Sequence, residues 1–240
     1  MRTEADVEEY RQRSYAAVVL GCKRCAGADV ECGCFERHSI AVSAYEACVP
    51  RDFWNVRASD ITHNKEVFDA VVRKYTERLD TALKKGYGLV FLGDNGVGKT
   101  YLISYVLMKA IRAGRSAYYT TMPQLDHNIK RGFDKPEVEE HLSWLLTSDF
   151  LAIDELGKER FKSGKTSFMD TQIERILKQR CDDSLPVLLA TNLDHEALIE
   201  SYGPTVGSII AGKLQAVAMK PGDYRAKMAR EMSGDMGYGE

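Results

Sequence analysis

The sequence lacks long hydrophobic runs, internal repeats and low-complexity tracts. No apolar stretch approaches the roughly 20 residues that span a bilayer. The first thirteen residues are rich in Glu, Asp and Arg, which excludes a secretory signal with an apolar core. Hydrophobic residues make up 44% of the chain, as is ordinary for a globular protein. These features predict a folded cytoplasmic protein without a membrane partner.

The chain also lacks an excess of charge of either sign. It has 33 Lys and Arg against 35 Asp and Glu, a formal net charge of −2. Binding to nucleic acid through net positive charge is therefore excluded, and any DNA contact must be local. A short cationic strip could follow a phosphate backbone, although a solvated loop is the alternative; its residues are Lys158, Arg160, Lys162 and Lys165.

Four of the six cysteines are concentrated in one short stretch before residue 35. In a reducing compartment such a cluster indicates a metal site rather than disulfides, and four thiolates suffice for one tetrahedral zinc. The segment is too short for its own apolar core, so zinc would stabilise its fold. The alternative is a set of buried structural or redox cysteines. The predicted ligands are Cys22, Cys25, Cys32 and Cys34, with His38 as a further candidate.

Beyond the cysteines, short apolar runs alternate with stretches of helical spacing. The pattern predicts an amphipathic helix over 61–85 and strands at 89–92, 116–121, 150–153 and 187–190. Such alternation is typical of an α/β fold with a parallel, doubly wound sheet. The predicted organisation is an N-terminal zinc module at 1–48, a linker at 49–60, an ATPase domain at 61–228 and a flexible tail at 229–240.

A glycine-rich loop separates the first of these strands from the next helix. It fits the pattern G-x-x-x-x-G-K-[ST], in which backbone amides surround phosphate oxygens. Lys99 can reach the β and γ phosphates, and the Thr100 hydroxyl can bind magnesium. The alternative is an ordinary glycine turn. The predicted ATP-binding residues are Gly93, Asp94, Asn95, Gly96, Val97, Gly98, Lys99 and Thr100.

Polar residues follow two later strands, at the edge where such sheets bind ligands. Asp154 is placed to hold magnesium through water, and Glu155 can polarise the attacking water. A pair of solvated turn acids is the alternative. Asn192, next to Thr191, could sense the γ phosphate, although the two residues could equally cap the strand end.

Together these motifs resemble the AAA+ ATPases of the DnaC/DnaI helicase-loader and IstB family over residues 49–228. The shared runs are 93–100, 153–158, 190–193 and 223–225. The resemblance implies that Asp154 and Glu155 are the Walker B acids, that Asn192 is the first sensor, and that Arg225 is a basic sensor facing the nucleotide. The cysteine cluster resembles the N-terminal zinc module of some DnaI-like loaders.

The resemblance implies an oligomeric ATPase that loads a replicative hexameric DNA helicase onto single-stranded DNA. One segment departs from the family pattern: residues 208–214 lack the expected arginine finger and offer only Lys213. Lysine lacks the planar fork that neutralises two phosphate oxygens together, so unassisted turnover is expected to be slow. Two alternatives are an IstB-like helper of DNA transposition and a nucleotide-gated adaptor with little turnover.

Overall fold

The computed structural model describes residues 2–130, 136–157 and 168–222. Five parallel strands form one sheet in the order β2-β3-β4-β1-β5. All five carboxyl ends lie at one edge, where α/β sheets bind ligands. The strands are β1 (Gly88–Leu92), β2 (Ala117–Thr121), β3 (Phe150–Leu156), β4 (Val187–Thr191) and β5 (Leu214–Ala218).

Helices cover both faces of the sheet, because successive strand side chains point to opposite sides. Leu89 and Phe91 belong to the same core as helix α6, and Val90 belongs to the core formed with α9. This arrangement confirms the predicted doubly wound α/β fold. The helices are α1 (Glu4–Tyr15), α2 (Cys34–Glu46), α3 (Lys65–Val67), α4 (Arg73–Thr76), α5 (Leu79–Lys85), α6 (Lys99–Arg112), α7 (Met122–Lys130), α8 (Pro136–Thr147), α9 (Phe168–Asp182) and α10 (His195–Lys213).

The prediction of one continuous helix over 61–85 is wrong. Helix α3 begins only at Lys65 and passes through a π-helical turn (Phe68–Val72) into α4, and the helix then breaks before α5. Asn64 takes a left-handed conformation at the start, with φ 56°. Its side-chain amide donates to the Val97 carbonyl at 3.3 Å, and its carbonyl oxygen accepts the Lys220 N–H at 2.7 Å. Asn64 therefore ties the phosphate loop to the chain after β5, a role that helical periodicity does not indicate.

Strand β5 was not predicted from the sequence. It lies at one edge of the described sheet, where it pairs only with β1, and among its five residues only Val217 is fully buried. A strand with so little burial has no clear apolar alternation. In the described residues no helix is long and apolar enough to cross a membrane.

The N-terminal segment forms a helical hairpin in which α1 packs against α2. The rings of Tyr10 and Tyr45 stack with centroids 4.1 Å apart. The chain joins the main core at the end of α2, since Ala44 in its last turn and Ala47 and Val49 after it are buried there. Val56, inside the proposed linker, is also buried there. Residues after α2 thus pack against the α/β domain.

One fully buried arginine stabilises the side of the sheet formed by the amino ends of the strands. The Arg180 guanidinium donates to the carbonyls of Leu145, Ser148 and Pro186 at 2.8–3.0 Å. Burial lowers the pKa of Arg180 to about 10, so the group remains protonated at neutral pH. It holds the end of α8 and the starts of β3 and β4 in place, which supports the strands that carry the acidic and polar site residues.

Candidate nucleotide site and cysteine cluster

Residues 93–98 form a tight loop between β1 and α6. Gly98, the residue before α6, has φ 99°, a conformation that L side chains rarely adopt. At Gly93 a Cβ atom would come 3.0 Å from the Met219 Cβ, and its φ is 147°. The backbone therefore needs glycine at these two positions. The loop ends at the amino terminus of a 14-residue helix, whose first-turn N–H groups and dipole favour an anion.

The Lys99 side chain lies inside this loop and is only 8% exposed. Its ammonium donates to the carbonyls of Gly93 at 2.5 Å and Asp94 at 2.7 Å, and to Asn192 Oδ1 at 2.7 Å. The Asn192 amide in turn donates to Asn95 Oδ1 at 2.9 Å. Asn192 can reach the loop because β4, which it follows, is the direct neighbour of β1.

Asp154 stands at the carboxyl end of the buried part of β3 and is 3% exposed. Its Oδ2 accepts hydrogen bonds from the Thr100 hydroxyl at 2.6 Å and from the Tyr119 hydroxyl at 3.0 Å. Its Oδ1 accepts the Glu155 N–H at 2.7 Å. A carboxylate and a hydroxyl beside a phosphate loop are hard oxygen donors of the kind that magnesium prefers, so these residues fit that ion.

Glu155 occupies an irregularity in the sheet. The pairing of β3 with β4 shifts register between Ile153 and Leu156, and Glu155 has φ 60°. A left-handed conformation costs a non-glycine residue roughly 1–2 kcal/mol, and such strain is concentrated at functional sites. The Thr191 hydroxyl donates to the Leu156 carbonyl at 2.7 Å and holds the strand beyond the irregularity. Glu155 is thus displaced from the regular ladder directly beside Asp154.

The structure brings together Lys99, Thr100, Asp154 and Asn192 through these hydrogen bonds. Tyr119 is the site residue that sequence reasoning missed, because a tyrosine in a strand gives no signal beyond core packing. Arg225 lies outside the described residues, as do the four residues of the predicted cationic strip, at positions 158–165.

Lys213 lies far from this chain's own phosphate loop. It precedes β5, whose first residue pairs with Gly88 at the amino end of β1, whereas the phosphate loop follows the carboxyl end. Five residues of strand span about 15 Å. The Lys213 ammonium donates to the Lys85 carbonyl at 3.0 Å. Lys213 could therefore serve as a finger only for a nucleotide bound by another copy of the chain.

The four clustered cysteines converge at the start of α2, with all Sγ atoms within 4.8 Å of one another. The Sγ atoms of Cys22 and Cys32 are 3.9 Å apart, and those of Cys25 and Cys34 are 3.5 Å apart. A tetrahedral zinc with Zn–S bonds of about 2.3 Å requires sulfur separations near 3.8 Å. The donor set and its spacing therefore fit one zinc ion.

Backbone hydrogen bonds and burial shift the pKa values of these thiols in opposite directions. Hydrogen bonds from the backbone of Arg24 and Cys25 lower the pKa of Cys22 to about 6, whereas burial raises the pKa of Cys34 to about 12. His38 is not part of the cluster; its Nδ1 lies 3.1 Å from the Ser14 hydroxyl. Within the described residues, the candidate zinc ligands are therefore the four cysteines alone.

We expect one zinc per chain, measured by elemental analysis of protein purified under reducing conditions without chelator. Changing both Cys22 and Cys25 to serine should remove the metal, because two thiolate ligands cannot hold it against solvent. The matched control changes Cys48 and Cys181, the two cysteines outside the cluster, and should retain it. Metal-free wild-type protein, or equal zinc content in both double variants, would indicate that the four cysteines have a structural or redox role instead.

The fold and the site define a class of protein. A phosphate loop after β1, acidic residues on β3 and a polar residue after β4, in a sheet of order β2-β3-β4-β1-β5, make this a P-loop nucleotide-binding protein with an AAA+ fold. The sequence profile described as "IstB-like ATP binding protein" matches residues 75–203, just over half of the chain. The chain belongs to this family.

Relatives of two kinds share this domain. The chain is 26% identical to the replicative helicase loader DnaI of Bacillus subtilis, over 48% of this chain and 36% of that protein. It is 27% identical to the ATP-binding protein assigned to insertion sequence IS5376 of Geobacillus stearothermophilus, over 55% of this chain and 47% of that protein. The matches thus span less than half the length of each relative.

Solved structures give the same fold. The crystal structure of the DnaC helicase loader superposes with a TM-score of 0.60 at 22% identity, covering 71% of this chain and 100% of that chain. The crystal structure of DnaI gives a TM-score of 0.60 at 22% identity, covering 73% and 94%.

Proposed function

We propose that this protein is a magnesium-dependent ATPase that loads a replicative hexameric DNA helicase onto single-stranded DNA. The observation that carries the ATPase part is the hydrogen-bonded cluster of Lys99, Thr100, Asp154 and Asn192 at the end of the phosphate loop. The loader part rests on the four-cysteine module ahead of this domain and on the kinship with DnaI.

The residues of the loop bind the triphosphate. Backbone N–H groups from Gly93 to Thr100 surround its oxygens, and the Lys99 ammonium exchanges its carbonyl partners for the β and γ phosphates. Thr100 and Asp154 would hold magnesium, which neutralises charge on the phosphate oxygens when bound. Asn192 lies against Lys99, close enough to the loop to sense the γ phosphate.

Glu155 is the residue that activates water in this proposal. It follows Asp154 directly, is half-buried, and is displaced from the ladder by the register shift. A carboxylate there can accept the proton of the attacking water as its oxygen bonds to the γ phosphorus and ADP departs as the leaving group. Arg225 is proposed, from the family resemblance alone, as the basic sensor of the bound nucleotide.

The proposal includes assembly into an oligomer, which would give Lys213 a site to act on. Because it lies at the amino end of β1 and β5, it can assist hydrolysis only at a neighbouring copy's site. A lysine stabilises the transition state less well than the forked guanidinium of arginine. We therefore expect slow turnover by the protein alone and stimulation by the helicase or by single-stranded DNA.

A second function is supported by the other group of relatives. The IstB-like profile and the kinship with an insertion-sequence protein favour a helper ATPase in DNA transposition. The two functions share the nucleotide site and differ in partner. A nucleotide-gated adaptor with little turnover is a third possibility, favoured by the absence of an arginine from residues 208–214.

The functions are separated by steady-state hydrolysis measured with three additions. These are the replicative helicase of the source organism, single-stranded DNA, and duplex DNA with a transposase. In parallel, retention of the helicase by the full-length chain is measured in the presence of ATP and of ADP. The Cys22→Ser, Cys25→Ser variant tests the module, and the Cys48→Ser, Cys181→Ser variant is its control.

The loader proposal expects ATP-dependent retention of the helicase, loss of retention in the first variant only, and stimulated turnover. A protein that retains no helicase, and whose turnover rises only with duplex DNA and a transposase, is a transposition helper instead. Fast turnover of the protein alone, lost in Lys213→Ala, would show that lysine serves as the finger between copies.

A further inference from the structure

Tyr119 is a buried tyrosine in contact with both the nucleotide site and the N-terminal module. It is the third residue of β2, is 7% exposed, and pairs with Ala152 on β3, two residues before Asp154. Its hydroxyl donates to Asp154 Oδ2 at 3.0 Å, the oxygen that also accepts from Thr100. Asp154, the proposed magnesium ligand on β3, is therefore held in place by side chains from β2 and α6.

The backbone of the same residue meets the N-terminal module. The Tyr119 N–H donates to the carbonyl of Ala47 at 2.8 Å. Ala47 comes directly after α2, and α2 begins at Cys34, a member of the cysteine cluster. Because β2 lies at an edge of the described sheet, this outward N–H has no strand partner there, and the end of α2 supplies one.

The hydroxyl of Tyr119 is not explained by packing. Phenylalanine would fill the same apolar space, and a buried hydroxyl is costly unless it makes a hydrogen bond. A phenol beside a carboxylate can only donate to it, and the Tyr119 hydroxyl does so at 3.0 Å. The neighbouring Tyr118 faces the other core and shares a 2.6 Å hydrogen bond with His141 Nδ1.

We propose that Tyr119 is a positioning residue for Asp154, and that through it the N-terminal module sets the divalent-cation affinity of the nucleotide site. The phenol fixes the carboxylate in the orientation that the cation requires, and the end of α2 fixes β2. This proposal rests on the proposed ATPase site but not on the identity of the partner. A chain that binds no nucleotide would refute the ATPase site, whereas the tests below concern cation affinity in a chain that does.

The probe is Mn²⁺ in place of magnesium, titrated into full-length protein with a non-hydrolysable ATP analogue and followed by electron paramagnetic resonance. Tyr119→Phe should weaken Mn²⁺ binding about threefold to tenfold, as expected for the loss of one hydrogen bond. Tyr118→Phe, which removes a hydroxyl from the same strand, is the matched control and should leave it unchanged. Affinity for the analogue without Mn²⁺ should be the same in all three proteins.

The coupling is tested with Cys22→Ser and Cys25→Ser made together. This double change should also weaken Mn²⁺ binding, and it should add nothing when Tyr119→Phe is already present, because the route to Asp154 is then cut. Unchanged Mn²⁺ affinity in Tyr119→Phe, or an equal loss in Tyr118→Phe, would overturn the positioning role. An independent, additive effect of the cysteine changes would overturn the coupling.

Discussion

Replacing Lys99 with alanine is expected to weaken ATP binding by about a hundredfold, or roughly 3 kcal/mol. The ammonium is buried within the loop, where it already has three oxygen acceptors. Among the described site residues, Lys99 has the only cationic side chain directed at the phosphates. The other proposed donors to the phosphates are backbone amides. Isothermal titration with ATP and magnesium measures the loss.

A change in folding must be separated from a change in binding, because Lys99 also holds the carbonyls of its own loop. The melting temperature of each variant provides that check. Lys109→Ala is the matched control, since Lys109 is an exposed lysine near the end of the same helix. Unaltered ATP affinity in a folded Lys99→Ala variant would refute the phosphate-loop assignment.

Glu155→Gln is expected to retain ATP binding and to lower turnover by about a hundredfold to ten-thousandfold. The amide keeps the size of the carboxylate but cannot accept a proton from water. Because it has no negative charge near the triphosphate, the variant should bind ATP at least as tightly as the wild type. Binding is measured by titration, and turnover by phosphate release under saturating ATP.

The control for this variant is Glu77→Gln, an exposed carboxylate at the end of α4. Its turnover should match that of the wild type. Hydrolysis retained in Glu155→Gln would remove Glu155 from the reaction and would require another group to activate the water.

The nucleotide-binding part of the fold could be predicted because its signals are local. A loop such as 93–100 carries its own pattern, and β1 and β3 are apolar runs followed by polar residues. Their meeting at one edge then follows from parallel pairing alone. The structure places Lys99, Thr100, Asp154 and Asn192 together, as those signals indicated.

The features that were not predicted depend on tertiary context. The side chains of Asn64 and Arg180 donate hydrogen bonds to backbone carbonyls distant in sequence, and neither residue produces a periodic pattern. Strand β5 buries too few of its side chains to show an alternating apolar pattern. Tyr119 is invisible to pattern analysis for another reason: its hydroxyl matters only because β2 and β3 pair in the register that brings it to Asp154.

The central claim is that ATP is bound and hydrolysed at the site formed by Lys99, Asp154 and Glu155. Its most direct test measures ATP affinity and phosphate release side by side in the wild type, Lys99→Ala and Glu155→Gln, each with magnesium and, where required, the stimulating partner. The account predicts binding and turnover in the wild type, about a hundredfold weaker binding without appreciable turnover in Lys99→Ala, and binding without turnover in Glu155→Gln. Equal turnover in all three proteins would contradict it.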